Sequence, residues 1–188
     1  MKHLVRFIAV AIIFIIVNGG AFLSIACAGD VATESQSEQY SDDTSEELFN
    51  ELQIYIGARI EKVANKYERL PSFVKGLFEN EVYLITIDMG DGKTLKIKAV
   101  KNGVLLIEFI RINDHSDVNP SITIHANENT VRMLMNCGSD RQSFEEGIKA
   151  LVDGTVKVEF IGDNKYIIYI KDCLFWFIVD EIHESIND

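Results

Sequence analysis

His115 stands between carboxylates in Asp114-His115-Ser116-Asp117, a grouping that suits a metal ion or a proton transfer. Nothing else in the chain completes a ligand set around it, and a polar loop running to Pro120 accounts for the same composition. Asp88, Gly90 and Asp91 resemble a fragment of a calcium loop, but the twelve-residue register with its closing glutamate is absent. His125 falls on the polar side of an alternating run, and His183 lies near a helix end, where it complements the dipole. The sequence holds no phosphate-binding glycine loop, nucleophile elbow or zinc-binding histidine pair. The expectation is therefore a non-catalytic protein without metal or cofactor.

The residues that remain are apolar. Phe175-Trp176-Phe177, with Cys173, Leu174 and Ile178, makes one helix apolar nearly all round. Such an element is buried, or it faces a lipid, a partner or a membrane. Met133-Leu134-Met135 reads the same way, with ordinary core packing as the alternative for both. Cys137 and Cys173 are a candidate disulfide in an oxidising compartment, or two buried thiols.

The compartment is set by residues 1–28. Lys2, His3 and Arg6 give a basic start, Phe7 to Val17 is an unbroken apolar run, and Ala26-Cys27-Ala28 ends the segment with small residues. This three-part pattern is an export signal, cleaved after Ala28. Two alternatives stay open: an uncleaved anchor over Phe7 to Ile25, and a lipid on Cys27. All three place the rest of the chain outside the cytoplasm, secreted or membrane-anchored. Residues 29–43 are polar and acidic and too poor in apolar surface to fold, so they read as a disordered tether. Residues 44–188 are long enough for one domain with its own core.

The net charge of −11 argues against phosphate backbones as partners, so nucleic acid is excluded as a ligand class. The leader carries Lys2 and Arg6 and no acid, which makes the remainder more acidic still. No charged anchor for a ligand head group stands out.

The elements follow from changes of period. Thr44 with Glu47 forms a capping-box pattern, and apolar residues at helical spacing predict a helix over Ser45 to Tyr67. Pro71 suits the first turn of a second, short helix carrying Phe73, Val74, Leu77 and Phe78. From Glu81 the period becomes two: Tyr83, Ile85 and Ile87, then a Gly90-Asp91-Gly92 turn, then Leu95, Ile97 and Ala99. Asn102-Gly103 is a hairpin signal. Val104 to Ile112 is apolar on both sides except Glu108 and Arg111, which predicts a strand buried on both faces or touching a ligand. Ile122 and Ile124 mark a fourth strand, and Asn129 to Met135 a short helix. Ser139 with Gln142 caps the next helix, which carries Phe144, Ile148 and Leu151. Val156, Val158 and Phe160 form a fifth strand. Lys165 to Ile186 is a helix, with a strand open as an alternative over the β-branched stretch Tyr166 to Ile170.

The order is ααββββααβα. It implies the α+β class, with a five-stranded, mainly antiparallel sheet covered by helices. Four stretches resemble the sterol carrier protein family: ITIDMGDG from Ile85, LKIKAVKNGVL from Leu95, PSITIHANENTVRML from Pro120 and IKALVDGTVKVEFIGD from Ile148. The likeness spans Ser45 to Phe177. It implies an apolar cavity between sheet and helices that holds a lipid or other apolar small molecule. The residues that would line such a cavity are Ile85, Ile97, Leu105, Ile107 and Phe109 on strands, and Met133, Phe144, Ile148, Leu174, Phe175, Trp176 and Phe177 on helices. An extracytoplasmic binding domain for an apolar ligand is thus one reading. A ligand-free interaction or accessory domain of a membrane-associated complex is the other. The first needs a contiguous cavity of roughly a few hundred Å³, the second an exposed apolar patch. The sequence does not set the oligomeric state.

Overall fold

The computed structural model describes residues 44–59, 72–103, 105–113 and 115–187. The segments read above as an export leader and a tether, with residues 60–71, Val104, Asp114 and Asp188, lie outside them. The elements are α1 Thr44–Gly57, α2 Ser72–Leu77, β1 Asn80–Asp88, β2 Thr94–Asn102, β3 Leu105–Ile112, β4 Ile122–Asn127, α3 Glu128–Met135, α4 Asp140–Val152, β5 Lys157–Phe160 and α5 Lys165–Asn187. Their order is the one the sequence predicts, and the class is α+β.

The strands form one sheet in the order β3-β2-β1-β4-β5. Three of its pairings are antiparallel, and β1 with β4 is parallel. Strand β3 lies at one edge, and β4, the next strand in the chain, lies beside β1. The first hairpin turns at Gly92, whose φ of 80° is a conformation glycine adopts without a Cβ penalty. In the same turn the Asp91 carboxylate accepts the Lys93 N–H at 2.9 Å. That bond explains the aspartate of the calcium-like fragment, and among the described residues no group of His, Cys, Asp and Glu could hold a metal ion.

Alternation along the strands puts one apolar face inward. Tyr83, Ile85 and Ile87 of β1 lie beside Ala99, Ile97 and Leu95 of β2 and Ile122, Ile124 and Ala126 of β4. The outer face carries Lys98, whose ammonium pairs with Glu108 at 2.9 Å. Strand β3 departs from expectation here. Val100 pairs with Glu108 but the next residue, Lys101, pairs with Leu106, so Ile107 is an extra, bulged residue. The bulge shifts the phase by one residue and turns both Leu106 and Phe109 inward. Leu105, Ile107 and Ile110 are exposed as a result, so β3 is buried on one face, not two.

The helices close over the inner face. Helix α1 stops at Gly57, short of the predicted end, where the Arg59 N–H bonds to the Ile56 carbonyl three residues back. The remainder of that predicted helix, Ile60 to Tyr67, lies outside the described residues. Helix α3 starts one residue before the predicted Asn129, because the Asn127 side chain caps it by accepting from the Thr130 N–H. Ser139 caps α4 through the Gln142 N–H at 3.1 Å, while the Gln142 side chain reaches back to the Gly138 N–H. Helix α5 is helical throughout. Asn164 accepts from the N–H groups of Tyr166 and Ile167 at 3.1 and 3.3 Å, and this cap starts the helix despite its β-branched first turns. The core continues under α5 through an edge-on aromatic chain, Phe78 to Phe160, Phe160 to Phe175 and Phe175 to Trp176.

Candidate functional site, an apolar cavity with one charged end

Between the sheet and helices α1, α3 and α4 lies a cavity of about 120 Å³. Its floor is the inner sheet face: Tyr83, Ile85, Ile87, Ile97, Ala99, Phe109, Ile124 and Ala126. Its roof is Leu52, Tyr55 and Ile56 of α1, Val131, Leu134 and Met135 of α3, and Gly147 and Leu151 of α4. Small residues in its walls, Ala99 and Ala126 in the floor and Gly147 in the roof, leave space that larger side chains would fill. The roof helices are tied together by polar groups. The Tyr55 hydroxyl sits 2.8 Å from Ser143 Oγ, and the Ser143 hydroxyl donates to the Leu134 carbonyl at 2.9 Å.

Only Tyr55, Tyr83 and Lys101 bring polar side-chain atoms to this lining. Lys101 belongs to a buried ionic cluster. It lies directly across the β1–β2 pair from Glu81, and these two residues are 5% and 2% exposed. The Lys101 ammonium donates to the Phe78 carbonyl. The Glu81 carboxylate accepts from Lys171 of α5 at 2.5 Å and from the Ser121 hydroxyl. Burial pushes the Lys101 ammonium down to about 8, against the opposing pull of Glu81 and Glu79 and with the help of Lys171. Two ammonium groups thus share one buried carboxylate at the cavity's edge.

Of the residues expected to line a cavity, Ile85, Ile97 and Phe109 do. Ile148 and Phe175 are fully buried in the surrounding core, and Phe144, Leu174 and Trp176 pack against it. Leu105, Ile107, Met133 and Phe177 are exposed; Phe177, at 53%, faces solvent and neither core nor cavity. The last helix therefore contributes nothing to the lining. Its inner side holds the core, and its outer side is a separate surface. Cys137 and Cys173 are free thiols, so the candidate disulfide does not form here. His115 and His125 are exposed, with no metal-binding group of residues assembled among the described ones.

Sequence reasoning missed Lys101 as a charged end of the site. The signal was present in the alternation. Lys101 continues the series Leu95, Ile97, Ala99, and Glu81 begins the series Tyr83, Ile85, Ile87, so both ionisable groups fall on the apolar side.

No protein-family model matches the chain, and no curated protein matches it. A solution structure of a conserved hypothetical protein from Thermus thermophilus, suggested to be a sterol carrier protein, is similar over 80% of this chain and 92% of that one. The TM-score is 0.35 and the identity 9%. A likeness of that degree carries no residue role from one protein to the other.

Proposed function

We propose that this domain binds a small apolar molecule, or the apolar end of a larger one, outside the cytoplasm. The observation that carries the reading is the cavity of about 120 Å³, walled by aliphatic and aromatic side chains. An apolar void of roughly 150 Å³ holds a benzene-sized guest, whereas drug-sized sites run from about 300 Å³ upward. The space therefore suits a ring or a short chain. A whole sterol or long acyl chain fits only if α1, α3 or α4 moves away from the sheet. Burying five methylenes gains about 4 kcal/mol before the cost of association, so affinity is millimolar at best. Lys101 adds a preference for an acidic group at one end. The extracytoplasmic placement comes from the leader sequence alone.

Saturation-transfer NMR with indole, 1-hexanol and hexanoate tests the reading. The wild type should receive signal from all three and prefer hexanoate to 1-hexanol. Ala99→Leu combined with Gly147→Ala fills the space and should abolish transfer, and Lys101→Met should remove the preference. No transfer to the wild type, or equal transfer to the filled variant, rejects a binding cavity. A second reading, an interaction domain, is favoured by a different observation: the exposed apolar side of α5.

A further inference from the structure

Helix α5 is apolar on two opposite sides. Phe175, Ile178, Val179 and Ile182 point into the core at 0–3% exposure. On the far side Tyr166, Tyr169, Ile170 and Phe177 are 83, 68, 49 and 53% exposed, and Cys173 is exposed among them. With about 100° per residue, Tyr166, Ile170, Cys173 and Phe177 fall within about 60° of one another, and Tyr169 borders them. This is a continuous stripe three turns long. Its three aromatic side chains alone show on the order of 400 Å² to solvent. A patch of that size is already within the range of the largest on an ordinary monomer, about 300–600 Å².

We propose that this stripe pairs with the same stripe on a second copy, the two α5 helices running antiparallel with Cys173 near the two-fold axis. Three features of the helix favour a second copy as the occupant. The stripe is self-complementary about Cys173: Tyr166, Tyr169 and Ile170 lie on one side of it in sequence, Phe177 and Asp180 on the other. Antiparallel pairing sets the first group of each copy against the second group of its mate. The charges also match. Lys165 is exposed at the start of the helix, two residues after Asp163, with Asp180 and Glu184 at its far end, and antiparallel pairing brings Lys165 of each copy toward the acidic end of its mate. Finally, the area fits. About 400 Å² of aromatic surface with Ile167, Ile170 and Cys173 beside it, rimmed by Lys165, Asp180 and Glu184, approaches the roughly 800 Å² per partner of a standard interface. This pairing stands apart from the cavity, whose lining contains no residue of α5.

The test uses the full chain with Cys27→Ser and Cys137→Ser, which leaves Cys173 as the one thiol. Sedimentation velocity over a concentration series should show a monomer–dimer equilibrium. Tyr169→Glu and Phe177→Glu should each weaken it at least tenfold, with helix content by circular dichroism unchanged. A short bismaleimide should join two copies through Cys173, and should fail to do so in the Phe177→Glu background. A monomer at every concentration overturns the proposal, as does a dimer indifferent to both glutamate substitutions. If those substitutions instead release a monomer from phosphatidylcholine vesicles, a membrane is the occupant and the pairing is refuted.

Discussion

Replacing Lys101 by methionine separates a buried cation from the volume it fills. The fall of its titration point from the ordinary 10.5 to about 8 means that the folded surroundings, with burial the largest influence and the neighbouring charges included, oppose the charged form by about 3 kcal/mol, at 1.36 kcal/mol per pH unit. The sign follows from proton counting. Between pH 8 and 10.5 the unfolded chain still holds a proton that the folded chain has released, so wild-type stability rises with pH across that window. Below it both states are charged and the full penalty is present; above it the penalty is gone. Lys101→Met has no proton to release there. At neutral pH the variant escapes the penalty but leaves the Phe78 carbonyl without its donor, a loss of about 1–3 kcal/mol. Glu81 keeps Lys171 and Ser121 as partners. The two proteins should therefore lie within about 2 kcal/mol of each other at pH 7, and the discriminating quantity is the change with pH. Urea unfolding of both at pH 7, 8, 9 and 10, read by the single tryptophan, Trp176, should show the wild type gaining about 2–3 kcal/mol on the variant over that range. Other lysines and the tyrosines titrate in both proteins and cancel in the difference. A difference that stays flat with pH, or moves the opposite way, would refute a desolvated ammonium at the cavity's edge.

Phe175→Ala should cost about 3–5 kcal/mol in denaturant unfolding, because the side chain is fully buried against Phe160 and Trp176; Phe177→Ala, measured at concentrations where copies are apart, should cost under about 1 kcal/mol. Gly147→Ala should stabilise the protein by about 1 kcal/mol, since it removes a helical glycine and the added Cβ meets only Leu134 at an ordinary 3.9 Å; a fall in melting temperature would show that the roof is tighter than this contact implies. Asn164→Ala should cost about 0.5–2 kcal/mol through loss of the α5 cap, with Asn164→Asp restoring most of it; equal loss in both variants would mean that the cap does not hold the helix.

The order of elements was legible because each carries its own period and its own stop signals. Tyr83, Ile85 and Ile87 alternate cleanly, Gly90-Asp91-Gly92 and Asn102-Gly103 close the hairpins, and Ser139 opens α4. What the pattern could not carry is phase across strands. The apolar run in β3 reads as two buried faces, yet one inserted residue, Ile107, rotates the strand so that Leu106 and Phe109 share a face and Leu105, Ile107 and Ile110 do not. Nor does a helical wheel say which of two apolar sides a neighbour will cover. Helix α5 offered Phe175 and Phe177 equally, and the positions of Phe160 and Phe78 chose Phe175. The site was half visible. Ile85, Ile97 and Phe109 follow from the period of two, but a void needs small residues in its walls, and Ala99, Ala126 and Gly147 come from three elements that only the tertiary fold brings together.

The two proposed surfaces are separable because they are built from different elements. The cavity is built by β1–β4 with α1, α3 and α4, and α5 enters it at no point. Helix α5 packs on α4, whose Gly147 and Leu151 line the cavity, and it reaches the cavity's polar end through a relay in which Lys171 holds Glu81 and Glu81 lies across the strand pair from Lys101. An acid bound near Lys101, as proposed, would add a negative charge to a cluster that has one buried carboxylate for two ammonium groups, and would offset the repulsion between Lys101 and Lys171. On the proposed reading, an acid in the cavity would bear on α5 through Lys171, at its inner face. The outer stripe is left as it stands, since Tyr166, Ile170, Cys173 and Phe177 point away from every member of that relay. Ligand capture and self-pairing would then act through the same helix without competing for the same side chains.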